Sequence, residues 1–279
     1  MTSFKSLFGR FFVEKAKNVY SFLIIQTVGA LAFSVFGLLI GTGKIGEFLN
    51  SYTELLPDWL MGFCLLGVFF VIFFFIYIIV KNEKINHSQT WRLTAISNEK
   101  FYIANSLSTF ATFVYFIILN IIVAGILLTA SFFMDKAFRN SCERMFKQFR
   151  PNFELNTIRF IFDITLLILL CCFFISLLIS FLNFSSKAIM DYLPVASNGL
   201  IVKLLHIFIV IVIAWLFTKV EKIFVDQVLG SLLNFLNLNP AYNNALPYVN
   251  VIVVVVNLIM YVINIFLFKY FFEAEEKSS

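Results

Sequence analysis

The side chains able to do chemistry in this chain are few, and most of them are amides. Asn243, Asn250, Asn257 and Asn264 recur every seven residues, and the last three line one face of the final apolar helix. An unpaired polar group in hydrocarbon is costly, so carboxamides in such a row either bind neighbouring helices together or line a path for a polar solute. Binding helices together is the simpler expectation. Arg159 with Asp163, and Lys203 with His206, sit at the starts of apolar helices, where they snorkel or pair near the interface. A proton relay needs more acidic residues at mid-membrane than the sequence supplies.

Other chemistries fail on spacing. Gly41-Thr42-Gly43-Lys44 lacks the first glycine of a phosphate-cradling loop, and Ile45 stands where Ser or Thr is needed. The two histidines, His87 and His206, have no zinc-type pairing, and Cys64, Cys142, Cys171 and Cys172 make no metal or redox pattern. The sequence therefore predicts no catalytic residue, no metal site and no cofactor, and nothing in it fits nucleic acid.

The elements that must position these groups belong to a membrane. Hydrophobic residues make up 61% of the 279, and charged residues only 13%, against about 45–50% and about 25% in soluble domains. Six stretches, 20–40, 59–80, 107–134, 158–184, 200–218 and 248–268, approach or exceed the roughly 20 apolar residues a spanning helix needs. The expected fold is all-α: a polytopic membrane helix bundle of about six spans, forming a single domain over 1–279. Ala30, Ser34, Gly37 and Gly41 give the first span a small-residue face for close packing against a neighbour, either within the chain or in a second copy.

Ahead of the first span, Phe4, Leu7, Phe8, Phe11 and Phe12 recur at helical spacing, with Arg10 on the opposite side. Over 1–18 this predicts an amphipathic helix in the membrane interface, with Phe4, Phe8 and Phe11 among the acyl chains and Arg10 at the headgroups. Lys5, Arg10, Lys15 and Lys17 place the N-terminus in the cytosol. The connection 81–100 is then cytosolic, and its cations agree with that side. Residues 107–134 are expected to cross once, since two arms of a hairpin would each reach only about 20 Å. The segment 135–157 reads as a basic amphipathic connector with Phe138, Cys142, Met145, Phe146, Phe149 and Phe153 on its apolar side, either an ordinary interfacial connection or a surface helix that holds anionic lipid or an acidic partner.

Between the second and third spans, Trp91, Leu93 and Ile96 form a short apolar docking surface. Ser97 caps the helix that follows, Lys100 meets lipid phosphates, and Phe101 and Tyr102 sit in the interface. Trp91-Arg92-Leu93, Ile96-Ser97 and Lys100-Phe101-Tyr102, with the N-terminal helix and six spans, resemble the permease subunits of type-two ATP-binding-cassette exporters of Gram-positive bacteria. Ala95 stands where many of that family have Pro. The resemblance implies a coupling helix, carried by Thr90, Trp91, Arg92, Leu93, Ile96, Ser97 and Lys100, that contacts a separate cytosolic ATPase. It also implies pairing with a second permease copy or a sibling, and export of an amphiphile such as a peptide or lipid. The alternative expectation is a stand-alone interaction or immunity protein that captures a peptide or membrane partner without an ATPase.

Overall fold

A computed structural model of the chain describes residues 3–42, 52–88, 91, 97–149, 155–192, 205, 207–213, 215, 218–219 and 246–271. All regular structure among them is helical. The elements are α1 (Phe4–Thr42), α2 (Tyr52–Asn86), α3 (Asn98–Met134), α4 (Lys136–Phe149), α5 (Leu155–Tyr192) and α6 (Leu246–Tyr270). Five of these, all except α4, are long and apolar enough to cross a membrane, which makes the chain a polytopic helical membrane protein. Within the stretch 200–218, residues 207–213 are helical, while 200–204, 206, 214 and 216–217 lie outside the described residues.

The helices outrun the apolar stretches that announced them. Those of 35 to 39 residues, α1, α2, α3 and α5, are about 52–58 Å long at 1.5 Å per residue, against a hydrocarbon core of about 30 Å. No proline interrupts residues 4–42, so the amphipathic segment runs straight into the first span. The N-terminal helix expected to lie in the interface over 1–18 is thus not a separate element but the opening turns of α1. Residues 107–134 likewise lie in one uninterrupted helix, not in a pair of hairpin arms. The connection expected over 81–100 is shorter, because α2 continues to Asn86 and α3 starts at Asn98.

The chain divides into two compact units, Met1–Asn86 with Ala104–Phe153, and His87–Ile103 with Glu154–Ser279. The division falls within α3. In the first unit α1 and α2 are antiparallel, since the Trp59 indole donates to the Thr27 carbonyl (3.1 Å) and the Lys81 ammonium to the Glu14 carbonyl (2.9 Å). The helices α1 and α3 are parallel, because Lys15 meets Asn105 and Gln26 meets Asn120. Phe22, Phe74 and Phe116 interlock where the three meet, with Phe74 and Phe116 ring centroids 4.3 Å apart. Farther along, Ala30, Leu60, Phe63 and Leu127 form a buried cluster.

The small-residue face of α1 serves this packing. Ala30 and Ser34 are buried, and a Cβ on Gly62 would stand 3.4 Å from both the Ala30 carbonyl and the Ser34 hydroxyl. Its neighbour at these positions is therefore α2 of the same chain. The Asp135 carboxylate caps α4 by accepting from the Ala137 amide at 2.8 Å. Phe138 packs on the Ala30 cluster, while Met145 and Phe146 remain exposed.

In the second unit α5 and α6 are parallel, joined at pairs of residues that are always 87 apart.

Candidate functional site

Three constellations concentrate the polar groups. The first is centred on Lys15, whose side chain is fully buried. Its position follows from helical periodicity: Leu7, Phe11, Lys15 and Val19 recur every four residues, and all four are buried. Lys15 Nζ donates to the Asn105 carbonyl (2.8 Å), Asn105 Oδ1 (2.7 Å), Ser108 Oγ (2.7 Å) and Thr109 Oγ1 (2.7 Å). Asn105 is the hub, since its amide nitrogen also donates to the Asn82 carbonyl (3.0 Å) and to Asn86 Oδ1 (2.8 Å). The Thr109 hydroxyl reaches Asn82 Oδ1 at 2.8 Å. Glu83 Oε1 accepts from the amides of Asn82 (3.2 Å) and Asn86 (3.3 Å).

This cluster escaped the sequence. Lys15 looked like an orientation-setting flank, and its partners lie 90 or more residues away. A signal did exist: Asn105, Ser108, Thr109 and Thr112 are spaced i, i+3, i+4, i+7 and form one polar stripe on α3, all of them buried. Three turns beyond Lys15 on α1, Gln26 donates to Asn120 Oδ1 at 2.7 Å, and Gly67 makes room for it, since a Cβ there would stand 3.2 Å from the Gln26 amide nitrogen.

The second constellation is the asparagine face of α6. Asn250, Asn257 and Asn264 are buried and donate to the carbonyls of Asp163 (3.1 Å), Leu170 (3.1 Å) and Leu177 (2.8 Å) on α5. All three bind helix to helix, and each leaves its Oδ1 buried without a partner. Asn243 lies outside the described residues. Arg159 approaches Asp163 at 3.9 Å.

The third constellation holds the connection between α2 and α3. Beside its start, His87 Nε2 lies 3.0 Å from the Asn183 amide nitrogen of α5. At its end, Glu99 pairs with Lys269 of α6 at 2.6 Å, and Phe101 stacks on Phe268 with centroids 6.0 Å apart. Tyr102 is fully buried, with ring contacts to Phe184 at 5.6 Å and Phe268 at 5.4 Å.

Of the residues expected to contact an ATPase, Trp91 is helical and half-buried, and Lys100 is exposed. Ser97 stands at the N-cap of α3, its carbonyl accepting the Phe101 amide at 3.0 Å. Thr90, Arg92, Leu93 and Ile96 lie outside the described residues. Of those expected at the lipid interface, Phe4 and Arg10 are exposed. Phe8 stacks with Phe12, which meets Tyr115 edge-on. Phe11 departs from the expectation, being wholly buried in protein beneath the Lys15 ammonium. An apolar stripe is satisfied equally by lipid or by a neighbouring helix, and here the neighbour takes it.

No group of three or more His, Cys, Asp or Glu side chains converges among the described residues. An open apolar depression of about 580 Å³ on α3, between Ile122 and Phe133, offers only the Thr129 hydroxyl, which is already bonded to the Gly125 carbonyl. Comparison with known protein families, curated proteins and solved structures finds no match.

Proposed function

We propose that the chain is the membrane-spanning permease subunit of an ATP-binding-cassette exporter, driven through the connection between α2 and α3 by a separate cytosolic ATPase. The observation that carries this proposal is the anchoring of that connection on both sides. His87 with Asn183 ties its start to α5, and Glu99 with Lys269 and Phe101 with Phe268 tie its finish to the end of α6. A load on residues between these anchors passes to two spanning helices. Those helices are locked together by the asparagine ladder and so respond as one body. Stiffness at such a joint favours switching between discrete arrangements over gradual bending.

Under this proposal the N-terminus and the connection face the cytosol. A second permease copy or a sibling completes the path, and the aromatic, nearly charge-free helices suit an amphiphilic cargo. The test is co-purification of an ATP-hydrolysing subunit with the intact chain in mild detergent. Trp91→Ala with Arg92→Ala is expected to lose that subunit, whereas Lys269→Ala is expected to retain it but weaken cargo-stimulated hydrolysis. Full activity in vesicles holding the purified chain alone, with no ATPase, overturns the proposal in favour of a stand-alone peptide- or partner-binding protein.

A further inference from the structure

The Lys15 cluster takes no part in the proposed coupling, and its donor set has its own chemistry. All four atoms around Nζ are neutral oxygens, one backbone carbonyl, one carboxamide and two hydroxyls, at 2.7–2.8 Å, and none belongs to a carboxylate. An ammonium has three hydrogens, so four oxygens at this range surround it as ligands surround a spherical ion rather than as three linear acceptors. The orientation of each ligand is enforced from behind. Ser108 donates its hydroxyl hydrogen to the Asn105 carbonyl at 2.7 Å, and Thr109 has Asn82 Oδ1 at 2.8 Å for its own. Both hydroxyls therefore turn lone pairs toward Nζ. The Asn105 amide nitrogen is held by Asn82 and Asn86, which aims Oδ1 at Nζ. Glu83 accepts from the amides of Asn82 and Asn86, so this carboxylate stands in the outer layer, behind the ligands.

We infer that this cage of Asn105, Ser108 and Thr109 is a monovalent-cation site that the chain fills with its own cation, the Lys15 ammonium. Neutral carbonyl and hydroxyl oxygens replace the hydration shell of an alkali ion. Calcium and magnesium sites instead rely on carboxylates, which here stay in the outer layer. The tethered ammonium joins α1 to α3 directly, and to α2 through Asn82 and Asn86, without recruiting an ion from solution.

The experiment removes the tether and offers free ions. Lys15→Ala, purified in detergent, is unfolded thermally in potassium, sodium, ammonium or methylammonium chloride, with N-methylglucamine chloride at equal ionic strength as the reference. The midpoint of the intact chain is expected to be the same in all five. Lys15→Ala is expected to melt lower in N-methylglucamine and to recover saturably with at least one of the small cations, potassium and ammonium foremost. Adding Thr109→Val is expected to abolish the recovery. Lys15→Met, which keeps the stem and fills the space, is expected to melt low in every salt. The inference is overturned if Lys15→Ala melts alike in all salts, or if Lys15→Met matches the intact chain. Should Lys15→Ala give no folded protein, Thr109→Val in the otherwise intact chain decides: a lowered midpoint supports the cage, and an unchanged one overturns it.

Discussion

In the first unit three helices meet around one buried ammonium, whereas in the second two parallel helices meet along a row of three neutral amides. The groups around Lys15 are interlinked: Asn105 alone accepts twice from Lys15 and donates to α2 twice. The ladder rungs share no partner, and each amide donates once to a backbone carbonyl while its own oxygen goes unmet. The Lys15 network should therefore fail as a whole, and the ladder rung by rung. Polar groups of similar kind thus serve two mechanical ends, a knot in the first unit and a seam in the second.

The sharpest way to break this comparison is to remove the hub. Asn105→Leu withdraws one of four acceptors from the buried Lys15 nitrogen and leaves Asn86 Oδ1 without its donor, and is expected to cost about 2–3 kcal/mol, the scale of a lost hydrogen bond to a charged group with a neutral acceptor left unmet. Denaturant titration in mixed micelles measures it, and a loss below that of a ladder substitution would erase the distinction. Gly67→Leu drives a side chain into Gln26 and is expected to cost about 1–3 kcal/mol by overpacking, read as a lower thermal midpoint.

Smaller effects belong to the seam. Asn257→Leu is expected to cost about 0.6 kcal/mol, typical of hydrogen bonds between spanning helices, because it also removes an unmet oxygen. The triple replacement with Asn250→Leu and Asn264→Leu should equal the sum of the three singles within about 0.5 kcal/mol. Strong non-additivity would show the rungs to be coupled. Least of all, Lys269→Ala removes a pair whose side chains are over 40% exposed and is expected to leave the thermal midpoint nearly unchanged. Its consequence should appear in coupling to the ATPase instead.

How much of this was legible depends on where each partner's identity is written. The spans could be read because apolar length is a property of one segment. The asparagine face could be read from its seven-residue spacing, yet its partners could not, since the carbonyls of Asp163, Leu170 and Leu177 carry no side-chain signature. Lys15 was misleading because a cation before an apolar run already has a sufficient explanation in membrane orientation. Only the distant stripe of Asn105, Ser108 and Thr109 gives it another role. Phe11 was misplaced for a related reason, since lipid and protein reward the same apolar stripe.

The parallel seam also bears on how the molecule is made. Each rung joins residues 87 positions apart, so at about 5–20 residues per second a ribosome delivers each ladder asparagine some 4–17 s after its partner. Through that interval α5 stands in the bilayer without its mate, and α6 must then be inserted with three amides still unanswered. Closure of the seam is a late event in biogenesis, and a nascent chain arrested before Leu246 would carry a complete first unit beside an unfinished second.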